Sequence, residues 1–223
     1  MRADNTEIDL YIKNPNRVTI KTLEFINIIK SKIKPDLQGE LLDIGCGNGN
    51  LIRKISDDIK KFNFTGFDFQ KDLIKIANDL NKNEKKFDII CASGVLSIFQ
   101  EFENPLKKWL SWLKKDGLLF VCGRFNSRDV DTKILFENNS KEEPKWESGF
   151  TSYSINTVSN FIEKLGFKCT FKKFILPIEI EEDINNPIRT FTKEFKNGEK
   201  IIMNGANIVS EYFFLTIGRD LDN

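Results

Sequence analysis

The sequence contains no histidine. That removes imidazole as a general base, nucleophile or metal ligand, and with it most zinc and Ser-His chemistry. Charge of one sign is also missing: 34 Lys+Arg stand against 33 Asp+Glu, for a net +1. Nothing in that balance attracts a nucleic acid, and none is expected as a partner; a basic patch would have to come from the fold. The four cysteines, Cys46, Cys91, Cys122 and Cys169, are widely spaced and form no C-x-x-C pair. They read as small apolar core residues of a reduced chain, with no metal site. No apolar run reaches the ~18 residues of a membrane helix, and Met1-Arg2-Ala3-Asp4 leads into no signal-like segment, so no membrane association and a cytoplasmic location are expected. At 223 residues the chain fits one domain with its own core, without internal repeats.

What the chain does have is Leu41–Asn50, Leu-Leu-Asp-Ile-Gly-Cys-Gly-Asn-Gly-Asn. A buried strand runs into three alternate glycines, Gly45, Gly47 and Gly49, and helical spacing resumes at Leu51. Glycines let backbone approach a ligand, and the free amides of a helix start favour polar groups, so the stretch reads as a nucleotide site. A glycine turn without any ligand is the plainer alternative. The dinucleotide fingerprint Gly-x-Gly-x-x-Gly, counted from Gly45, would need glycine where Asn50 stands. Asp43-x-Gly45-x-Gly47-x-Gly49 instead resembles the first motif of the Rossmann-like, class I methyltransferases that use S-adenosyl-L-methionine and release S-adenosyl-L-homocysteine. The resemblance implies an α/β three-layer sandwich whose mostly parallel sheet carries an antiparallel last strand. It also implies that Asp43, Gly45, Cys46, Gly47 and Gly49 hold the cofactor.

Phe62–Phe67 reads as the second strand, ending at Asp68. An acid at that point, about 20 residues past the glycines, can accept both ribose hydroxyls of a nucleoside; a helix N-cap is the alternative. Phe69 is placed to flank the adenine. Gln70–Asn81 has helical spacing, and Asn81–Lys86 leads straight to Phe87-Asp88-Ile89-Ile90-Cys91-Ala92-Ser93-Gly94, which resembles the family's fourth strand. The family's third strand, with the acid that holds the adenine amino group, has no room. It is expected to be lost, or else stunted into Ile74–Asp79. Ser93 and Gly94, at a strand's carboxyl end, should face the cofactor crevice. The segment lacks the Asn/Asp-Pro-Pro-aromatic motif of amino-directed nucleic-acid methyltransferases, the Pro-Cys pair of cytosine-C5 enzymes and the paired glutamates of arginine methyltransferases. Small-molecule methylation remains.

The remaining elements follow in order. Val18–Ile33 reads as an amphipathic helix within a helical cap over 1–37, where the resemblance makes Tyr11 and Arg17 candidate lid residues. Leu51–Lys60 and Asn104–Lys115 read as helices, Asp116-Gly117 as a turn, and Leu118–Gly123 as a central strand that closes the cofactor-binding half, 38–123. In the substrate-side half, 124–223, Arg124–Ser154 reads as a long lid or binding loop. Arg124 and Trp146 are placed as substrate contacts there, and Asp129 and Tyr153 as catalytic groups near the acceptor, with Asp131 beside them. Thr157–Leu165 reads as helix, Phe167–Leu176 as strand, Arg189–Met203 as an accessory hairpin turning at Asn197-Gly198, and Val209–Ile217 as the final strand.

The expected activity is methyl transfer from S-adenosylmethionine to an oxygen, less readily a nitrogen, of a small metabolite or sugar. The pattern after the fifth strand also resembles bacterial methyltransferases associated with sugars. A non-catalytic methyltransferase-like module and a nicotinamide enzyme are the competing readings. Oligomeric state cannot be read from the sequence.

Overall fold

In a computed structural model, residues 18–33, 37–47, 49–68, 86–137, 146–175, 179–182, 191–203 and 211–221 are described. Tyr11, Arg17, Phe69, Asp79, the expected helix after Asp68 and the question of the third strand all lie outside them.

The first helix, α1 (Ile20–Lys32), is capped by the Thr19 hydroxyl, which accepts from the Thr22 amide. It leads into β1 (Gly39–Ile44), α2 (Asn50–Ser56) and β2 (Phe62–Phe67). After the undescribed stretch come β3 (Phe87–Ser93), a short 3-10 turn at Leu96–Ile98, α3 (Glu103–Ser111) and β4 (Leu113–Asn126). Then follow β5 (Thr132–Glu137), β6 (Trp146–Ser154), α4 (Ile155–Lys164), β7 (Lys168–Phe174), β8 (Phe191–Glu194), β9 (Lys200–Met203) and β10 (Tyr212–Gly218).

The main sheet runs β2-β1-β3-β4-β10-β7. β1 to β4 are mutually parallel, and β10 is antiparallel to both of its neighbours. The consecutive apolar residues of β1 and β3 are explained by helices on both faces. Leu41, Ile89 and Cys91 pack toward Phe25, Ile26 and Ile29 of α1 and Leu51 and Ile55 of α2. Leu42, Ile90 and Ala92 pack toward Leu106, Trp109 and Leu110 of α3 and Val158 and Ile162 of α4. This is the expected three-layer sandwich with its antiparallel last strand.

Two expectations need correction. The central strand starts at Leu113 rather than Leu118, because α3 stops at Ser111 and the Phe87 amide takes the Trp112 carbonyl at 2.9 Å. Lys114 to Gly117 are absorbed in a register shift opposite Phe87–Ile89, and the Asp88 carboxylate pins that irregularity by accepting from Lys114 and the Glu40 amide, each at 2.7 Å. The described residues of the expected loop from Arg124 to Ser154 are instead largely sheet. β4 continues to Asn126, and β5 and β6 form an antiparallel pair whose second strand joins β4 at Phe125–Tyr153 and Asn126–Ser154. The accessory hairpin is present as the separate β8–β9 pair.

Candidate functional site

The β1-to-α2 turn is built from left-handed backbone. Gly45, Gly47 and Gly49 have φ of 72°, 50° and 77°, a region costly for any residue with a Cβ. The Gly49 amide closes the turn on the Cys46 carbonyl at 2.8 Å, and Gly49 starts α2. β2 fits against this turn because Gly66 lacks a side chain: a Cβ there would sit 2.8 Å from Ile52 Cδ1 and 3.1 Å from Cys46 Sγ.

Two carboxylates converge on the turn. Asp68, exposed at the end of β2, accepts from the Gly47 amide at 2.6 Å. Asp43 lies in mid-sheet, paired in register with Gly66 and Cys91 and only 2% exposed. Burial first, and the Asp68 charge second, push its carboxyl up to about 7. The Cys46 thiol is pushed up to about 11 by burial and by both acids, so it is no thiolate nucleophile. The turn therefore offers negative charge and hydrogen-bond acceptors. That set of acceptors suits hydroxyls and cations, and it works against a pyrophosphate.

Ser93 and Gly94 come to the same carboxyl edge on the next strand. Gly94 has φ 74° and donates to the Cys122 carbonyl at 2.7 Å. The Ser93 hydroxyl bonds the buried Cys122 thiol, which burial pushes up against that bond and the Lys21 charge.

The candidate catalytic groups are engaged elsewhere. Tyr153 is 4% exposed, its ring 4.6 Å from that of Phe102, and its hydroxyl donates to the Gln100 carbonyl. Asp129 accepts from Asn156 Nδ2 at 2.6 Å and the Ser154 hydroxyl at 3.3 Å. Asp131 accepts from the Ser154 amide at 2.7 Å and the Thr157 hydroxyl at 3.0 Å. Both acids thus brace Ser154, the N-cap of α4, whose hydroxyl accepts from the Asn156 amide at 3.1 Å, and their charge favours the helix dipole. Asp129 and Tyr153 are thus both hydrogen-bonded within the fold.

Arg124 is half-buried at the end of β4 and donates from Nε to the Tyr212 hydroxyl at 3.2 Å. Trp146 opens β6, in register with Glu137. Sequence reasoning missed Lys21, Tyr212 and Glu211. Glu211 is 7% exposed and is engaged by Lys173 at 2.6 Å and by the Ser127 amide at 3.1 Å. Burial pushes its carboxyl up, but Lys173, the Ser127 amide and Arg128 outweigh that and hold it below the usual range. No sequence signal marked these residues, which are placed by the packing of α1 over β10 and by the pairing of β10 with β4 and β7. Among the described residues no group of acids and thiols is placed to hold a metal ion, and no helix is long and apolar enough to cross a membrane.

A family described as a methyltransferase domain matches residues 20–170. The chain belongs to that methyltransferase-domain family. Among curated relatives, the chain is 28% identical over 128 residues to a probable (S)-tetrahydroprotoberberine N-methyltransferase 2 of Papaver bracteatum, covering 49% of this chain and 34% of that protein. It is 29% identical over 109 residues to a ubiquinone biosynthesis O-methyltransferase of Pelagibacter ubique, covering 42% and 45% of the two chains. The match thus spans less than half the length of either relative. Among solved structures, a 1,6-didemethyltoxoflavin-N1-methyltransferase of Burkholderia thailandensis, with its substrate and S-adenosylhomocysteine bound, superposes with TM-score 0.53 at 10% identity. That superposition covers 90% of this chain and 79% of the other, and shows a shared fold.

Proposed function

We propose that the chain is an S-adenosylmethionine-dependent methyltransferase that methylates an oxygen of a small metabolite or sugar. The observation that carries this reading is the pair of carboxylates, Asp43 and Asp68, at a left-handed glycine turn. Such a turn is poorly suited to the phosphates of a dinucleotide and well suited to a cationic nucleoside. When bound, S-adenosylmethionine would supply a methyl group on a positively charged sulfur, with its own leaving group. Asp68 would accept the ribose hydroxyls, and the backbone of Gly45, Cys46, Gly47 and Gly49 would admit the ligand close to the sheet. Asp43 would place a negative charge beneath the cofactor's cationic end, and Ser93 and Gly94 would line the next strand.

The protein's contribution to transfer is then alignment and exclusion of water. A hydroxyl acceptor also needs a base. Asp129 and Tyr153 are hydrogen-bonded within the fold, so an amine nitrogen, an acceptor that needs no base once unprotonated, is a second reading. The acceptor is small in either case, and curated relatives are named as both N- and O-methyltransferases.

The test is calorimetric titration with S-adenosylmethionine and S-adenosylhomocysteine, on the native chain and on Asp68→Ala. Micromolar binding of both is expected. Losing hydrogen bonds to a charged group costs about 1.5–3 kcal/mol, so Asp68→Ala should bind roughly 10- to 100-fold more weakly. No binding to the folded native chain overturns the proposal and favours a non-catalytic module.

A further inference from the structure

The turn that follows β3 is held from two sides. Gly94, exposed and with φ 74°, ties its amide to the Cys122 carbonyl at 2.7 Å. Among the described residues no heavy atom lies within 4 Å of where its Cβ would stand, so the chain leaves open space there. Val95 and Leu96 then sink into the core, and Leu96–Ile98 makes one 3-10 turn. The Ile98 amide closes it on the Val95 carbonyl at 3.2 Å and the Phe99 amide on the Leu96 carbonyl at 3.3 Å. The last carbonyls of so short a turn have no partner within it.

Their donors come from β6. The Thr151 hydroxyl stands 3.2 Å from the Ser97 carbonyl and 3.1 Å from the Phe99 carbonyl, and the Tyr153 hydroxyl donates to the Gln100 carbonyl. One residue further, Glu101 pairs with Lys133 of β5 at 2.6 Å. β5 and β6 stand off the main run of strands and reach it where β6 joins the end of β4. Thr151 and Tyr153, two residues apart, share the face of β6 that meets the turn.

The two hydroxyls differ in what backs them. The Tyr153 ring lies against Phe102, with centroids 4.6 Å apart, and holds its end of the segment with or without the hydroxyl bond. Thr151 holds by one hydroxyl proton shared between two carbonyls two residues apart. It is 1% exposed, so water does not compete for these bonds, and a buried carbonyl is costly to leave without its donor. They therefore fix the direction of the peptide units at Ser97 and Phe99. Slack released there is taken up at the softest residue of the segment, which is Gly94. Resting on the methyltransferase reading above, we propose that Thr151 is a positioning residue for methyl transfer. It touches neither cofactor nor acceptor, and acts through Leu96–Ile98 to hold Ser93 and Gly94 in the form that receives the cofactor.

The test is calorimetric titration of S-adenosylhomocysteine into the native chain, Thr151→Val and Thr151→Ser, with the denaturation midpoint of each. Thr151→Val keeps the branched shape and removes the donor, and should weaken binding about fivefold or more. Thr151→Ser returns the hydroxyl and should restore native affinity. Should Thr151→Val not fold, Thr151→Ala against Thr151→Ser isolates the same oxygen. Asp131→Ala disturbs Ser154 on the same strand and should leave affinity unchanged, which makes it the control for lost stability. In the native chain, S-adenosylhomocysteine should also slow amide exchange at Gly94 and Ile98. A lowered midpoint with native affinity in Thr151→Val makes the role purely structural and overturns the proposal. Failure of Thr151→Ser to restore affinity, or exchange at Gly94 and Ile98 that ignores the ligand, overturns it as well. All of these leave the methyltransferase reading standing. If S-adenosylhomocysteine does not bind the folded native chain, that reading fails, and the positioning role with it.

Discussion

Binding of S-adenosylmethionine should expel a proton from Asp43. Its carboxyl is raised from 3.8 to about 7, by burial and then by Asp68. At roughly 1.4 kcal/mol per pH unit, ionising it in the folded chain costs on the order of 4 kcal/mol. The folded state therefore holds this proton more tightly than the unfolded chain. Its contribution to stability is best below about pH 4, falls as pH rises toward 7 and then levels. A cationic ligand placed against Asp43 reverses the preference and returns the carboxyl toward its ordinary value. Linkage then requires affinity to climb with pH and flatten above 7, by on the order of 100-fold between pH 5 and pH 8. Calorimetry in two buffers of different ionisation enthalpy at pH 6 should show release of close to one proton, and Asp43→Asn should abolish both the slope and the release. A flat affinity profile with no buffer dependence would refute the placement of Asp43 beneath the cofactor's charge.

Three further outcomes follow from the frame around the site. Tyr153→Phe removes the hydroxyl donated to Gln100 and should cost about 1 kcal/mol in chemical denaturation, with methyl-transfer turnover intact; a collapse of kcat would mark it as a catalytic group. Asp131→Ala frees the Ser154 amide and Thr157 hydroxyl at the start of α4, so stability should drop by about 0.5–2 kcal/mol while S-adenosylhomocysteine affinity stays constant. Gly117→Ala would set a Cβ 2.9 Å from the Phe87 carbonyl oxygen, and the forced shift should destabilise by about 1–3 kcal/mol, read as a lowered denaturation midpoint. An unchanged midpoint would mean that the β3–β4 irregularity tolerates a side chain.

The sequence alone determined whatever depends on neighbours along the chain. The apolar runs at Leu41–Ile44, Phe87–Ala92 and Leu118–Cys122 can only be strands covered on both faces, and they are. The three glycines mark the turn because no other residue holds left-handed backbone so cheaply, and Asp68 was legible from its spacing to them. Tertiary structure decided what depends on register and burial. Asp129 and Asp131 looked like free acids in a loop; they hold the N-cap residue Ser154 of α4 because β6 pairs beside the end of β4 and delivers Ser154 between them. Tyr153 became core by the same pairing, since alternation along β6 turns its ring onto Phe102. Lys21 and Tyr212 carry no local signal, standing at opposite ends of the sequence. Only the packing of α1 over an antiparallel last strand brings Lys21 onto the Tyr212 ring and Tyr212 to Arg124, as side chains distant in sequence meet where the pairing of buried strands fixes them.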